Sequence, residues 1–177
     1  AQDGLYFVDL AQAGESLDGL LAQLVTVLGV DPRVYGSEEA AVLAVLRNKR
    51  ALLVFDNFER VTSAGEFLRR LLRECGGLRV LVTSQAALRM DIEARVPLEP
   101  MEVPTAEATL EDSDAYNLLL ARARLRRPGW TPSRAEAEAL VRILRATCGL
   151  PLAIELAAAW WDLRGPTQIA AELDRHC

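Results

Sequence analysis

The chain has 177 residues, 51% of them apolar and 25% charged, with a net charge of -5. That balance supports a real core in one domain plus a small appendage, and it gives no general attraction to nucleic acid or to an anionic membrane. Cys75, Cys148 and Cys177 are odd in number and lack metal-ligand spacing, so reduced cytosolic thiols are expected.

No basic stretch followed by an apolar run opens the chain, which predicts no signal peptide and a cytoplasmic location. Leu5 to Leu10 reads as a short strand carrying an acid, Asp9. Leu17, Leu20, Leu21, Leu24 and Leu28 recur at helical spacing, and Gly29 closes that helix. Ser37 with Glu38 and Glu39 opens a second helix. The stretch 51–55 then runs unalternating and apolar into Asp56, Asn57, Phe58 and Glu59. Such a run predicts a strand buried on both faces of a parallel sheet, with Asp56 at its carboxyl end, where open α/β sheets bind ligands. An acid there can hold Mg²⁺ against phosphate oxygens, or it can simply cap the next turn. The local pattern leaves both open.

Phe67, Leu68, Leu71 and Leu72 make a third helical face that ends at Gly76 and Gly77. Residues 78–84 predict another strand, with Thr83, Ser84 and Gln85 at its polar end. Ala94 to Leu98 is a short strand candidate, and Pro97 suits a sheet edge. Glu99 to Glu111 reads as a linker, and everything after it is helical: Asp114 to Arg126, Ser133 to Thr147, Leu150 to Leu163, and Thr167 to His176. The most apolar late segment, Leu150 to Trp161, contains Glu155 and is too short to span a bilayer. The fold class is therefore α/β over residues 1–100, followed by a helical domain over 101–177. Gly149 and Pro151 sit at a helix boundary whose free N–H groups can face a ligand, although Gly-Leu-Pro is also a common structural break.

Three motifs in this order carry a family resemblance: 52–59 (LLVFDNFE), 78–85 (LRVLVTSQ) and 148–159 (CGLPLAIELAAA). Together they resemble the nucleotide-binding module of the STAND ATPases, also called NB-ARC or AP-ATPase domains, and in particular those of large bacterial transcriptional regulators. The resemblance implies a parallel three-layer P-loop NTPase-like sheet and a nucleotide partner, ATP or ADP with Mg²⁺. Asp56 is then the Walker B magnesium ligand, Thr83 and Ser84 form the sensor strand, and Pro151 beside Gly149 packs on adenine. Asn57 stands where many relatives have a second acid that polarises the attacking water, which implies slow hydrolysis. Gln85 replaces an arginine usual in relatives, and a neutral amide supplies no charge to a γ-phosphate.

The family's Gly-x-x-x-x-Gly-Lys-Ser/Thr loop does not occur, and Lys49 has no glycines before it. The expectation is a piece of a longer protein cut after that loop, unable to hydrolyse ATP alone. In relatives the strands lie in the order 5-1-4-3-2. Residues 5–10, 51–55 and 79–84 correspond to strands 2, 3 and 4, and Ala94 to Leu98 to strand 5. With strand 1 absent, residues 79–84 expose an unpaired edge open to self-association. Two functions compete: a switch ATPase regulating transcription in the parent protein, and a non-catalytic interaction or oligomerisation scaffold. A phosphotransferase using Asp56 as nucleophile is a remote third, ill served by a single lysine. His176 is a lone residue and belongs to no triad or metal set.

Overall fold

The computed structural model describes residues 2–104 and 110–175, and it divides into two compact units, Ala1–Val96 and Pro97–Cys177. His176, Cys177 and the linker positions 105–109 lie outside the described residues.

The first unit carries strands β1 (Leu5–Asp9), β2 (Leu52–Asp56) and β3 (Arg79–Val82) in one sheet of order β1-β2-β3. Both pairings are parallel, as the alternation of strands with helices predicts. The register sets Leu5 beside Leu52 and Asp9 beside Asp56, then Leu52 beside Arg79 and Phe55 beside Val82. Helices α1 (Leu17–Leu28) and α2 (Glu38–Leu46) fill the first crossover, and α3 (Gly65–Glu74) the second. Ser16 and Ser37 accept from Gly19 N and Ala40 N, so each hydroxyl satisfies one of the N–H groups a helix start leaves free. Gly29 ends α1 at φ 65°, a conformation that costs glycine nothing.

Among the described residues of the first unit, helices cover one face of the sheet, whereas the three-layer expectation has them on both. Val8, Leu53 and Phe55 are fully buried together with Leu20, Leu24, Val42, Leu46, Leu68 and Leu71 of the helices. Their neighbours on the other face are open: Leu5 is 64% exposed, Phe7 53% and Leu81 55%. The cause is handedness. Both crossovers step the same way across the sheet, and right-handed connections that step the same way put their helices on the same side. The run 52–55 is therefore alternately buried and half-buried rather than buried throughout.

Residues 94–98 form no strand. Val96 is 81% and Leu98 92% exposed, and no neighbouring strand supplies a ladder. The Glu93 carboxylate accepts from Leu88 N and Met90 N, which ties the segment before it into turns. Residues Phe58–Ala64 form tight helical turns kinked at Val61, which no periodicity announces.

The second unit is helical. It contains α4 (Asp114–Arg126), α5 (Ala137–Ala146), α6 (Pro151–Ala158) and α7 (Pro166–Leu173). The helices expected from Ser133 and from Leu150 each include a 3₁₀ turn, at Arg134–Glu136 and at Ala159–Asp162. Pro166 begins α7 one residue before the expected start, at the first helical position where its missing N–H costs nothing. Leu119, Leu140, Ile143, Leu144, Ile154, Trp161 and Ile169 make a separate core. Trp130 meets Trp161 edge to face at 5.4 Å, the arrangement aromatic quadrupoles favour. Among the described residues, no helix is long and apolar enough to cross a membrane.

Candidate functional site

Parallel strands bring their carboxyl ends to one rim, and here that rim gathers polar groups from three separate stretches. β1 ends in Asp9 and β2 in Asp56, in register and on the same face. Thr83 follows β3 and is tied to β2 through its N–H to the Phe55 carbonyl, at 2.9 Å. Phe58 N returns to the Thr83 carbonyl at 3.0 Å, so the two chain exits lock together.

The side chains continue that network. The Thr83 hydroxyl donates to Asp56 Oδ1 and accepts from Asn57 N at 3.1 Å. The carboxylate thus points across to the next strand rather than into its own turn, which disfavours the capping explanation for Asp56. Its Oδ2 takes no hydrogen bond among the described residues. Asp9 Oδ1 accepts from Ala11 N at 2.8 Å and from Asn57 Nδ2 at 3.4 Å. Glu59 Oε2 accepts from Gln85 N at 3.4 Å. Asn57 sits at φ 60°, left-handed backbone that asparagine tolerates better than most side-chain-bearing residues.

Of the expected residues, Asp56, Asn57 and Thr83 come together directly, and Gln85 joins the same rim through its backbone. Ser84 turns away into a local turn, donating to the Ala86 carbonyl at 2.7 Å and accepting from Ala86 N. Gly149 and Pro151 belong to the second unit. Gly149 has a sufficient packing reason: at φ 67°, an added Cβ would lie 2.0 Å from the Met101 carbonyl oxygen. Its own carbonyl accepts from Met101 N at 2.9 Å. Pro151 is exposed at the first position of α6.

Asp9 and Glu59 were absent from the residues expected at the site. Asp9 had a signal, since Phe7-Val8-Asp9 repeats the run-into-acid pattern of Val54-Phe55-Asp56. Asp56 is the residue here that could contribute to holding a cation. Mg²⁺ keeps several waters and takes one or two carboxylates, with phosphate oxygens completing its shell. Asp56 Oδ2, without a hydrogen bond among the described residues, could serve as one such carboxylate ligand. Among the described residues, no group of three or more Asp, Glu, His or Cys side chains is placed to cage a metal alone.

Neither a family model nor a solved structure matches the chain. A Mycobacterium tuberculosis protein provisionally named an HTH-type transcriptional regulator is 34% identical over 175 residues, 98% of this chain and 19% of that protein. A Mycobacterium bovis protein with the same description matches equally. An uncharacterized Mycobacterium tuberculosis protein is 30% identical over 172 residues, 97% of this chain and 42% of that protein. The chain thus spans about a fifth of the length of the first relatives, and its likeness is to bacterial proteins named for regulating transcription.

Proposed function

We propose that this chain is part of a nucleotide-dependent switch in a bacterial transcription regulator, of the STAND or NB-ARC kind. One observation carries the reading: Asp56 and Thr83, 27 residues apart, meet at the carboxyl rim of a parallel sheet, and the second Asp56 oxygen has no hydrogen bond among the described residues. In this reading Asp56 receives Mg²⁺, Thr83 holds the carboxylate in place, and Asn57 presents an amide to the attacking water. Asp9, Asp56, Asn57 and Thr83 supply no positive charge of their own, and the glycine- and lysine-bearing loop that would supply it is absent from these residues. Charge-assisted hydrogen bonds contribute roughly 1.5–3 kcal/mol each. Losing three or four of them turns micromolar affinity into millimolar or worse, since each 1.4 kcal/mol is about tenfold.

The test is calorimetry with Mg·ATP and a phosphate-release assay, on this chain and on an upstream-extended protein carrying such a loop. We expect no measurable turnover from this chain, and Mg²⁺-dependent binding by the extended one that Asp56→Ala abolishes. Micromolar binding by the short chain would overturn the site assignment.

A second reading, a protein-interaction scaffold, draws on the open sheet face at Leu5, Phe7 and Leu81. An apolar face of this kind marks a surface that something else covers. Silence from the extended protein in both assays would favour it.

A further inference from the structure

Asn57 is clamped through its backbone and tethered through its side chain. Its N–H is spent on Thr83 Oγ1 and its carbonyl accepts from Arg60 N at 3.1 Å, which together hold the residue at φ 60°. The side-chain amide then has one free choice, which end faces β1. An amide carries a donor end and an acceptor end of nearly the same shape, and the group it meets decides between them.

That group is Asp9 Oδ1, 3.4 Å from Asn57 Nδ2. A carboxylate accepts and does not donate, so it holds only the NH₂ end of the amide. Asp9 is itself steadied, because the same oxygen accepts from Ala11 N at 2.8 Å. We propose that Asp9 is a positioning residue for Asn57. It turns Nδ2 toward β1 and leaves Oδ1 facing out of the rim as an acceptor for a donor such as water. The orientation follows from the pairing alone. Its use, aiming an acceptor at water attacking a phosphoryl group, rests on the nucleotide reading above.

The alternative is that Asp9 only builds the turn at residues 10–13, where Ala13 N also returns to the Leu10 carbonyl. The two differ in what Asp9 does to Asn57. The chain contains three asparagines, Asn48, Asn57 and Asn117, so selective ¹⁵N-asparagine labelling yields three side-chain NH₂ pairs. We expect Asp9→Ala to move the Asn57 pair to the shift and exchange rate of a free amide. We expect Asp9→Asn to keep it near wild type, because the introduced amide still offers a carbonyl oxygen. Unmoved Asn48 and Asn117 pairs report that the fold persists. An Asn57 pair already at free-amide values, or unmoved by Asp9→Ala, would overturn the proposal.

Turnover separates positioning from architecture. In the extended protein, Asp9→Ala should lower kcat about tenfold at unchanged nucleotide Kd, as a misaimed group costs rate rather than binding. In an Asn57→Asp background the loss should vanish, because two equivalent carboxylate oxygens need no aiming. An equal loss in both backgrounds would make Asp9 architectural and sink the idea. An extended protein without any turnover would defeat the nucleotide reading, and the labelled-amide result would decide the orientation by itself.

Discussion

The two units build their distinctive sites from opposite materials. In the first, Asp9, Asp56, Asn57 and Thr83 come from three strand ends, and the bonds joining them span 26 to 48 residues. In the second, the Gly149-Leu150-Pro151 break is one local event, a left-handed cap running straight into the next helix. A site made by topology fails when the sheet fails, whereas a site made by a cap fails when one backbone angle is denied. Substitutions can test each half of that contrast.

The largest effects are expected in the two cores. Phe55 and Trp161 are both fully buried, one in each unit. Replacing either with alanine should cost ~3–5 kcal/mol. All three tryptophans, Trp130, Trp160 and Trp161, lie in the second unit, so their fluorescence reports on that unit. Cys75 is buried in the first unit, and burial pushes its thiol up from the ordinary value. Phe55→Ala should therefore expose Cys75 to a thiol reagent, while Trp161→Ala should register in denaturant melts followed by fluorescence. A Cys75 that stays protected in Phe55→Ala would contradict the core assignment.

Gly149→Ala comes next. It forces a Cβ against the Met101 carbonyl oxygen at positive φ, a strain of about 2–3 kcal/mol. The loss should appear in a fluorescence-monitored urea melt as a lower midpoint at unchanged slope. A neutral result would mean that the segment at Met101 yields freely.

Thr83→Val should be milder, ~1–2 kcal/mol, since it removes one donor and one acceptor at a half-open rim. It keeps the shape and strips Asp56 and Asn57 of their common partner. Chemical denaturation would measure it, and a variant more stable than wild type would show that the rim is not held together through this hydroxyl.

The smallest effect concerns pH. The hydrogen bond from Arg70, then that from Arg47, holds the Glu74 carboxyl below its ordinary value. A carboxyl lowered by folding adds stability above its unfolded value near 4.5 and loses it as pH falls toward the lower folded value. The pair is open to solvent, so the contribution is slight. Glu74→Gln should lower the neutral plateau slightly and flatten the acid limb of the stability profile, the two proteins converging at low pH, and an unchanged profile would show that Glu74 contributes nothing.

Much of this was legible in the residues. Apolar runs ending in acids marked β1 and β2, and Gly29 and Ser37 marked helix ends because capping chemistry is local. The open sheet face was not legible. A run such as 52–55 reads the same whether helices cover one face or two, and the difference lies in the direction of the crossovers. Residues 94–98 alternate as a strand does, yet a strand exists only with a partner to accept its hydrogen bonds. Asp9 could be read as a strand-end acid, but its place beside Asp56 needed the register.

The register also has a consequence in time. Leu5 pairs with Leu52, so β1 has no partner until roughly 47 more residues have been made. At a synthesis rate of about 5–20 residues per second, that is a wait of roughly 2–10 seconds for a newly emerged apolar segment. The first helix forms within microseconds and can shield Val8 and Leu10, but nothing in the first unit shelters Leu5 and Phe7 even after the sheet closes. During translation, this strand is therefore an apolar segment open to a chaperone well before its partner strand emerges.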